Sequence, residues 1–335
     1  MGVGMDMNQV VPIIDIAPFL DGTGKQEVAR QVADACERIG FLVIGGHGVG
    51  KANIDNLVSA ARDFFALPAD IKKLSASPPG SNVHRGYTAL ASRSLAKSTG
   101  AKTPPDLREG FTINRVQPKD DPYFKHPAAE RFFADNVWPP DAVAPGFRDA
   151  LTTYYLEMDR VATSLMRIFA LALDMPEHFF DDKVDRHFSN FTSYHYPPLD
   201  APPAPGQLRG GAHTDFGSLT ILHGAPSTQG LQVWSQGAWH DVPVVKDAFI
   251  VNIGDLMAQW TNDRWVSTLH RVVNPASVEG SQSRYSFAFF HQPNYDVLIE
   301  NIDPLAQAKY SPVTSGDHLY RKLSAMKVAE SERVS

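Results

Sequence analysis

After Pro176 the chain breaks into short β-rich runs separated by proline and glycine: "FTSYHY", "SLTILHG", "LQVWSQGAWHDV", "AFIVNIGD", "STLHRVVNP" and "RYSFAFFHQ". Strands this short and this evenly spaced leave few folds open, and they predict an antiparallel sandwich or barrel. Gln236-Gly237 predicts a hairpin turn inside the third run. Upstream the texture is helical. "KQEVARQVADACERIG" and "NIDNLVSAARDFFALP" repeat apolar residues at helical spacing and stop at Gly40 and Pro68. "FRDALTTYYLEMDRVATSLMRIFALALDM" carries the strongest helical pattern and is long enough to serve as a spine for a sheet. "VPIIDIAPFL" and "FLVIGGHGV" read as strands, and the Pro-, Lys- and Asp-rich stretch from about 74 to 145 reads as long loops with short elements. The expected division is an N-terminal helical and loop region (1–145) packing on the barrel, a spine helix (146–176), a β core (177–300) and a C-terminal loop and helix (301–335).

Composition narrows the function. A formal net charge of -6 offers no basic stripe for phosphates, so no nucleic-acid partner is expected. The longest apolar runs are too short to span a bilayer, and no basic segment precedes an apolar one at the N-terminus, so neither a membrane partner nor a secretory signal is expected. Cys36 is the single cysteine, which excludes an internal disulfide and a cysteine metal cluster. A cytoplasmic monomer is the expectation, since neither a long apolar edge nor a heptad pattern appears. Methionines at positions 1, 5 and 7 leave the start residue undetermined.

The chemistry-bearing residues sit in the β runs. In "GGAHTDFGSLTIL" His213 and Asp215 stand two apart, and on a strand residues two apart share a face. An interior aspartate is costly unless paired or metal-bound. His270 lies in a further run, 55 positions after Asp215, and Arg284 and Ser286 stand two apart in another. Two imidazoles and one carboxylate form a facial triad that binds Fe(II) and leaves adjacent positions open for an organic chelator and dioxygen. An interior guanidinium calls for an anion, and a carboxylate is its bidentate partner. Ser286 on the same face can donate to that carboxylate. Together these residues would hold the far end of a dicarboxylate whose near end meets the metal.

"AHTDFGSLTIL", "VNIGDLMAQWTNDRWVSTLHRVVNP" and "RYSFAFFHQP" resemble the isopenicillin N synthase-like branch of the Fe(II)/2-oxoglutarate-dependent dioxygenases, as do "VPIIDIAPF" and "GFLVIGGHGV". The resemblance spans nearly the whole chain. It implies a mainly β protein with supporting helices around a double-stranded β-helix, or jelly-roll, core. It implies iron on His213, Asp215 and His270, 2-oxoglutarate on Arg284 and Ser286, and dioxygen as second cosubstrate. The family's cosubstrate-binding tyrosine maps to Tyr196 in "SYHYPPLD", where Tyr194 replaces the asparagine found in plant members. "HRGYTA" and "DLREGFTI" resemble segments that line the substrate entrance, which makes Arg85, Tyr87, Glu109 and Phe111 candidate substrate contacts. His195, between two tyrosines, and Phe290, in strand register with Arg284, are further candidates. The same alternation turns Phe287 and Phe289 outward toward helices. His223 and His291 end strand runs and could approach the pocket; Asn252 reads as structural.

The implied reaction is oxidation of a small organic molecule, hydroxylation by default, with release of succinate and CO2. Desaturation, ring closure and an ethylene-forming outcome share the same motif, as does a 2-oxoglutarate-independent oxidase of the isopenicillin N synthase type. From a different class come a metal-free jelly-roll binding module and a zinc hydrolase. The latter gives Arg284 and Ser286 no task. The lining loops do not identify the substrate.

Overall fold

A computed structural model describes residues 10–77, 84–101, 103–224, 230–279, 281–303 and 305–331. The start methionine in question lies outside them, as do the last four residues. In chain order the strands are β1 (Ile13–Asp15), β2 (Phe41–Gly45), β3 (Gly86–Thr88), β4 (Glu109–Ile113), β5 (Asn190–Tyr196), β6 (Gly210–His213), β7 (Leu219–Gly224), β8 (Leu231–Ser235), β9 (Ala238–Asp241), β10 (Phe249–Ile253), β11 (His270–Val272) and β12 (Arg284–His291). One sheet runs β1-β2-β10-β7-β12-β5-β4-β3; a smaller one runs β6-β11-β8-β9. Pairing is antiparallel throughout these sheets except between β1 and β2. The two sheets form the jelly-roll core.

The helix Phe147–Ala172 is the expected spine. It buries its apolar face against the outer surface of the large sheet, where Tyr155 meets Phe289 at 5.2 Å and Tyr154 meets Phe191 at 5.3 Å between ring centroids. Phe287 and Phe289 are fully buried in this layer, as strand alternation requires. The hairpin between β8 and β9 turns at Gln236 (φ 50°) and Gly237 (φ 79°). Positive φ at both central residues gives a turn whose twist matches the strands.

One expectation needs correction. The first 145 residues do more than pack on the barrel as helices and loops; they also supply β1 to β4 to both ends of its large sheet. The polar stretch around 74 to 145 holds β3 and β4, and β4 pairs along its whole length with β5. Its strand character is hidden because "EGFTI" is bounded by proline-rich loops and follows a charged "DLR". The C-terminal helix Ser315–Ser331 lies where a helix was expected, preceded by a short pair, Leu298–Ile299 with Val313–Thr314.

Candidate active site

A cavity of about 220 Å³ lies between the two sheets. The small sheet presents His213 and His270 to it, and the large sheet presents Tyr194, Tyr196, Arg284, Ser286, Ala288 and Phe290. His213 and His270 are direct partners across the β6–β11 ladder, so their rings project side by side, 4.3 Å between centroids. Contrary to the expectation from the two-residue spacing, Asp215 does not stand on the strand with His213. β6 ends at His213, and Asp215 lies in the following loop. That loop returns the carboxylate to the histidines because its backbone is anchored: the Asp215 carbonyl accepts from the Asp255 amide at 2.7 Å. Gly217 and Gly254 allow the fit. A Cβ on Gly254 would lie 2.2 Å from the Gly217 carbonyl oxygen, and one on Gly217 would lie 2.3 Å from that of His291.

The donor atoms are sorted by their hydrogen bonds. His213 Nδ1 lies 2.8 Å from the Gly211 carbonyl and His270 Nδ1 lies 3.0 Å from that of Thr268. A backbone carbonyl only accepts, so each Nδ1 carries a proton and Nε2 is the ring nitrogen left to face the aspartate. Asp215 Oδ2 accepts from Thr220 Oγ1 (2.6 Å) and Asn252 Nδ2 (2.8 Å), which leaves Oδ1 facing the two imidazoles. His213 Nε2 is 3.7 Å and His270 Nε2 3.9 Å from that oxygen. Two imidazole nitrogens and one carboxylate oxygen, all within 4.8 Å of one another, suit a divalent transition metal. Burial, and next the His270 ring, push the His213 imidazole down to about 3. Burial opposes ionisation of Asp215, yet the two imidazoles, Thr220 and Asn252 hold its carboxyl below the usual range.

Asn252 therefore orients the carboxylate, a function that its place in an apolar strand did not reveal. Asn252→Ala is expected to weaken Fe(II) affinity by roughly 10- to 100-fold while the ligands stay intact. Anaerobic Fe(II) titration of the variant measures this.

On the facing sheet Arg284 is buried and stacks over the Tyr196 ring at 4.7 Å. Burial holds its guanidinium below the usual arginine range. Its Nε and Nη1 are buried without an acceptor among the described residues. Ser286 and Phe290 share its face, as alternation predicts. Tyr196 pairs with Arg284 across β5–β12.

The other substrate candidates stand elsewhere. Phe111 is packed between Phe64 and Phe147, behind the sheet. The Tyr87 hydroxyl donates to Glu109 at 2.5 Å, and His195 Nδ1 meets the other Glu109 oxygen at 2.8 Å. Lys72 completes this buried group at 2.8 Å. All four belong to the outer face, since His195 alternates with the inward Tyr194 and Tyr196. Arg85 borders a smaller cavity of about 110 Å³ that shares His84, Asn190, Leu319 and Leu323 with the main one. It donates to the His84 and Phe132 carbonyls and to Asn190 Oδ1, while its Nε is buried without a partner among the described residues. His223 and His291 also turn away from the cavity: His223 packs on Phe249, and His291 bonds Ser218 at 2.7 Å. Arg108, unmarked in the sequence, does line the cavity.

Burial also presses His223 and His318 down to about 4 and His291 to about 3. These rings stay neutral in the fold and protonate in the unfolded chain near 6.5. The unfolded state thus takes up more protons below 6.5, and stability falls as the pH is lowered through that window. Each ring costs about 2 kcal/mol at pH 5. Denaturant midpoints of the metal-free protein are expected to drop steadily from pH 7 to pH 4.5.

With this geometry in place, the comparisons with known proteins become specific. Residues 187–293 match the 2OG-Fe(II) oxygenase superfamily, and residues 11–141 match the N-terminal region described as non-haem dioxygenase in morphine synthesis. The 2-oxoglutarate-Fe(II) type oxidoreductase hxnY of Emericella nidulans is 35% identical over 91% of this chain and 87% of its own. The 2-oxoglutarate-dependent dioxygenase citB of Monascus ruber is 36% identical over 89% of each. A full-length Neurospora crassa protein, solved in complex with alpha-KG, superposes with a TM-score of 0.82 at 29% identity, covering 96% of this chain and 97% of that one. The chain belongs to the 2OG-Fe(II) oxygenase superfamily. It is an enzyme that uses Fe(II) and 2-oxoglutarate, and its family acts on small molecules. The oxidase, binding-module and zinc-hydrolase alternatives gain nothing from these relatives. Among the described residues no helix is long and apolar enough to cross a membrane.

Proposed function

We propose that this enzyme hydroxylates a small, largely apolar organic molecule, with Fe(II) on His213, Asp215 and His270 and with the distal carboxylate of 2-oxoglutarate on Arg284, Ser286 and Tyr196. One observation carries the reading: the buried, acceptor-less Nε and Nη1 of Arg284 stand on the wall of the same cavity that holds the triad. Two buried guanidinium donors without a partner call for an anion, and a carboxylate is one. Bound iron supplies the activation of dioxygen, which oxidises 2-oxoglutarate to succinate and CO2 while one oxygen atom enters the substrate.

The chain's own residues do the rest. Nδ1 protons held by Gly211 and Thr268 fix the ring orientations and turn both Nε2 atoms toward the place of the metal. Asn252 and Thr220 fix the carboxylate rotamer. Phe216, Leu222, Phe290, Leu319 and Leu323 exclude water and orient the substrate's apolar body. A small-molecule substrate rather than a nucleic acid agrees with the net charge of -6 and the cavity between the sheets, and we place the enzyme in the cytoplasm as a monomer, away from membranes. A compound screen by succinate formation tests the activity. Hydroxylation predicts one succinate per product and a product one oxygen atom heavier; a product two hydrogens lighter would replace hydroxylation by desaturation.

A further inference from the structure

We infer that Arg108 selects the substrate by its charge: its guanidinium holds the carboxylate of a small organic acid whose remainder is apolar. The inference rests on the oxygenase reading and adds the substrate class to it. Arg108 directly precedes β4, and one step beyond the Glu109↔His195 pair brings it opposite Tyr196. Tyr196 in turn pairs with Arg284. The inner face of the large sheet thus carries a row of Arg108, Tyr196 and Arg284, two cations flanking one phenol, all lining the main cavity.

Arg108 is built into place. Its guanidinium lies over the Tyr194 ring at 4.2 Å, and its side chain is only 14% exposed. Its Nε is 3.7 Å from Asp106 Oδ2, beyond hydrogen-bond length. Both Asp106 oxygens already accept backbone amides, from Leu95 and Gly211, at 3.0 Å. Burial opposes the Arg108 charge, but the Tyr194 and Tyr196 side chains and Asp106 outweigh it and hold the guanidinium above the ordinary arginine range.

A second guanidinium on the wall of a cavity that also carries leucine and phenylalanine offers a place for an anion beside an apolar body. The strands of Arg108 and Arg284 are two steps apart, roughly 10 Å at the backbone, and both guanidiniums reach the Tyr196 side chain between them. In the proposed arrangement the distal carboxylate of 2-oxoglutarate goes to Arg284 and Ser286, which leaves Arg108 for a second anion. A carboxylate on the substrate supplies the second anion, and the leucine and phenylalanine walls take the rest of the molecule.

The test is anaerobic calorimetry on the full-length Fe(II)·2-oxoglutarate enzyme. The probes are benzoate, phenylacetate and 3-phenylpropionate, each against its primary amide. In the wild type at least one acid is expected to bind about tenfold or more tighter than its amide. Arg108→Gln should bring each pair within about twofold, while its Kd for 2-oxoglutarate stays within about threefold of wild type. That intact cosubstrate affinity also shows that the variant folds. Arg108→Lys should recover part of the preference, since it keeps charge and loses the fork. Acids that bind no tighter than amides, or not at all, overturn the inference. So does an Arg108→Gln enzyme that keeps the preference, or one whose 2-oxoglutarate Kd rises tenfold. Failure of the wild type to bind 2-oxoglutarate would instead remove the oxygenase reading beneath it.

Discussion

His270→Ala is expected to abolish succinate formation, a loss of at least about 10³-fold, while the protein stays folded. The triad has three members, and His270 contributes the donor 3.9 Å from Asp215 Oδ1. Removal leaves one imidazole and one carboxylate, too few to hold Fe(II) in a defined geometry. The structural cost is small by comparison. His270 touches the Phe41 ring edge-on at 5.3 Å and keeps its place in the ladder through backbone pairing with Val233 and His213. Truncation opens a modest gap, worth about 1–2 kcal/mol. Iron stoichiometry by dialysis, circular dichroism and turnover separate the two effects. Lost iron and activity with a retained fold is the expected pattern. Retained turnover would remove His270 from the metal site.

Arg284→Gln is the second large effect. The guanidinium is buried, and a charge-assisted bidentate contact inside a protein is worth about 3 kcal/mol or more, beyond a hundredfold in Kd. The sharper readout is discrimination. Wild type should favour 2-oxoglutarate over 2-oxobutyrate, which lacks the distal carboxylate, by a similar factor, and Arg284→Gln should shrink that preference to a few-fold. Arg284→Lys should fall between them, keeping charge and losing the fork. Ser286→Ala removes one neutral donor and should cost about 1 kcal/mol, roughly fivefold. Stability is expected to move the other way. An uncompensated guanidinium among apolar neighbours is unfavourable, so Arg284→Gln should hold or raise the melting temperature of the ligand-free protein. A lowered melting temperature with unchanged 2-oxoglutarate affinity would make Arg284 a structural residue.

The residues at these two positions were legible because polar side chains in apolar strands have few bland explanations. His213, His270, Arg284 and Ser286 each sit in a run whose other members are core, so their inward direction followed from period-two alternation. Phe287 and Phe289 followed by the same rule. Asp215 was legible in kind and mistaken in place, because the loop that returns it depends on Gly217 and Gly254 meeting across the fold. Alternation failed where the strand itself was missed. Had "REGFTI" been read as a strand beside "SYHY", Glu109 and Phe111 would have fallen on one face with His195, and Arg108 on the other with Tyr194 and Tyr196. The contacts of Arg85 were hidden for a different reason. Its acceptors are the backbone carbonyls of His84 and Phe132, and carbonyl positions leave no mark in residue identity. Asn252 and Thr220 were hidden because a hydrogen bond to a metal-facing carboxylate joins β10 and β7 to a loop, a contact set by topology.

The most direct test of the central claim is an anaerobic visible spectrum of the purified chain with Fe(II), taken before and after 2-oxoglutarate is added. A weak charge-transfer band should appear only when both are present and should be absent in Arg284→Gln at the concentration that saturates wild type. Iron retained by the protein with no band at saturating 2-oxoglutarate would contradict the assignment of this cavity as a joint iron and 2-oxoglutarate site.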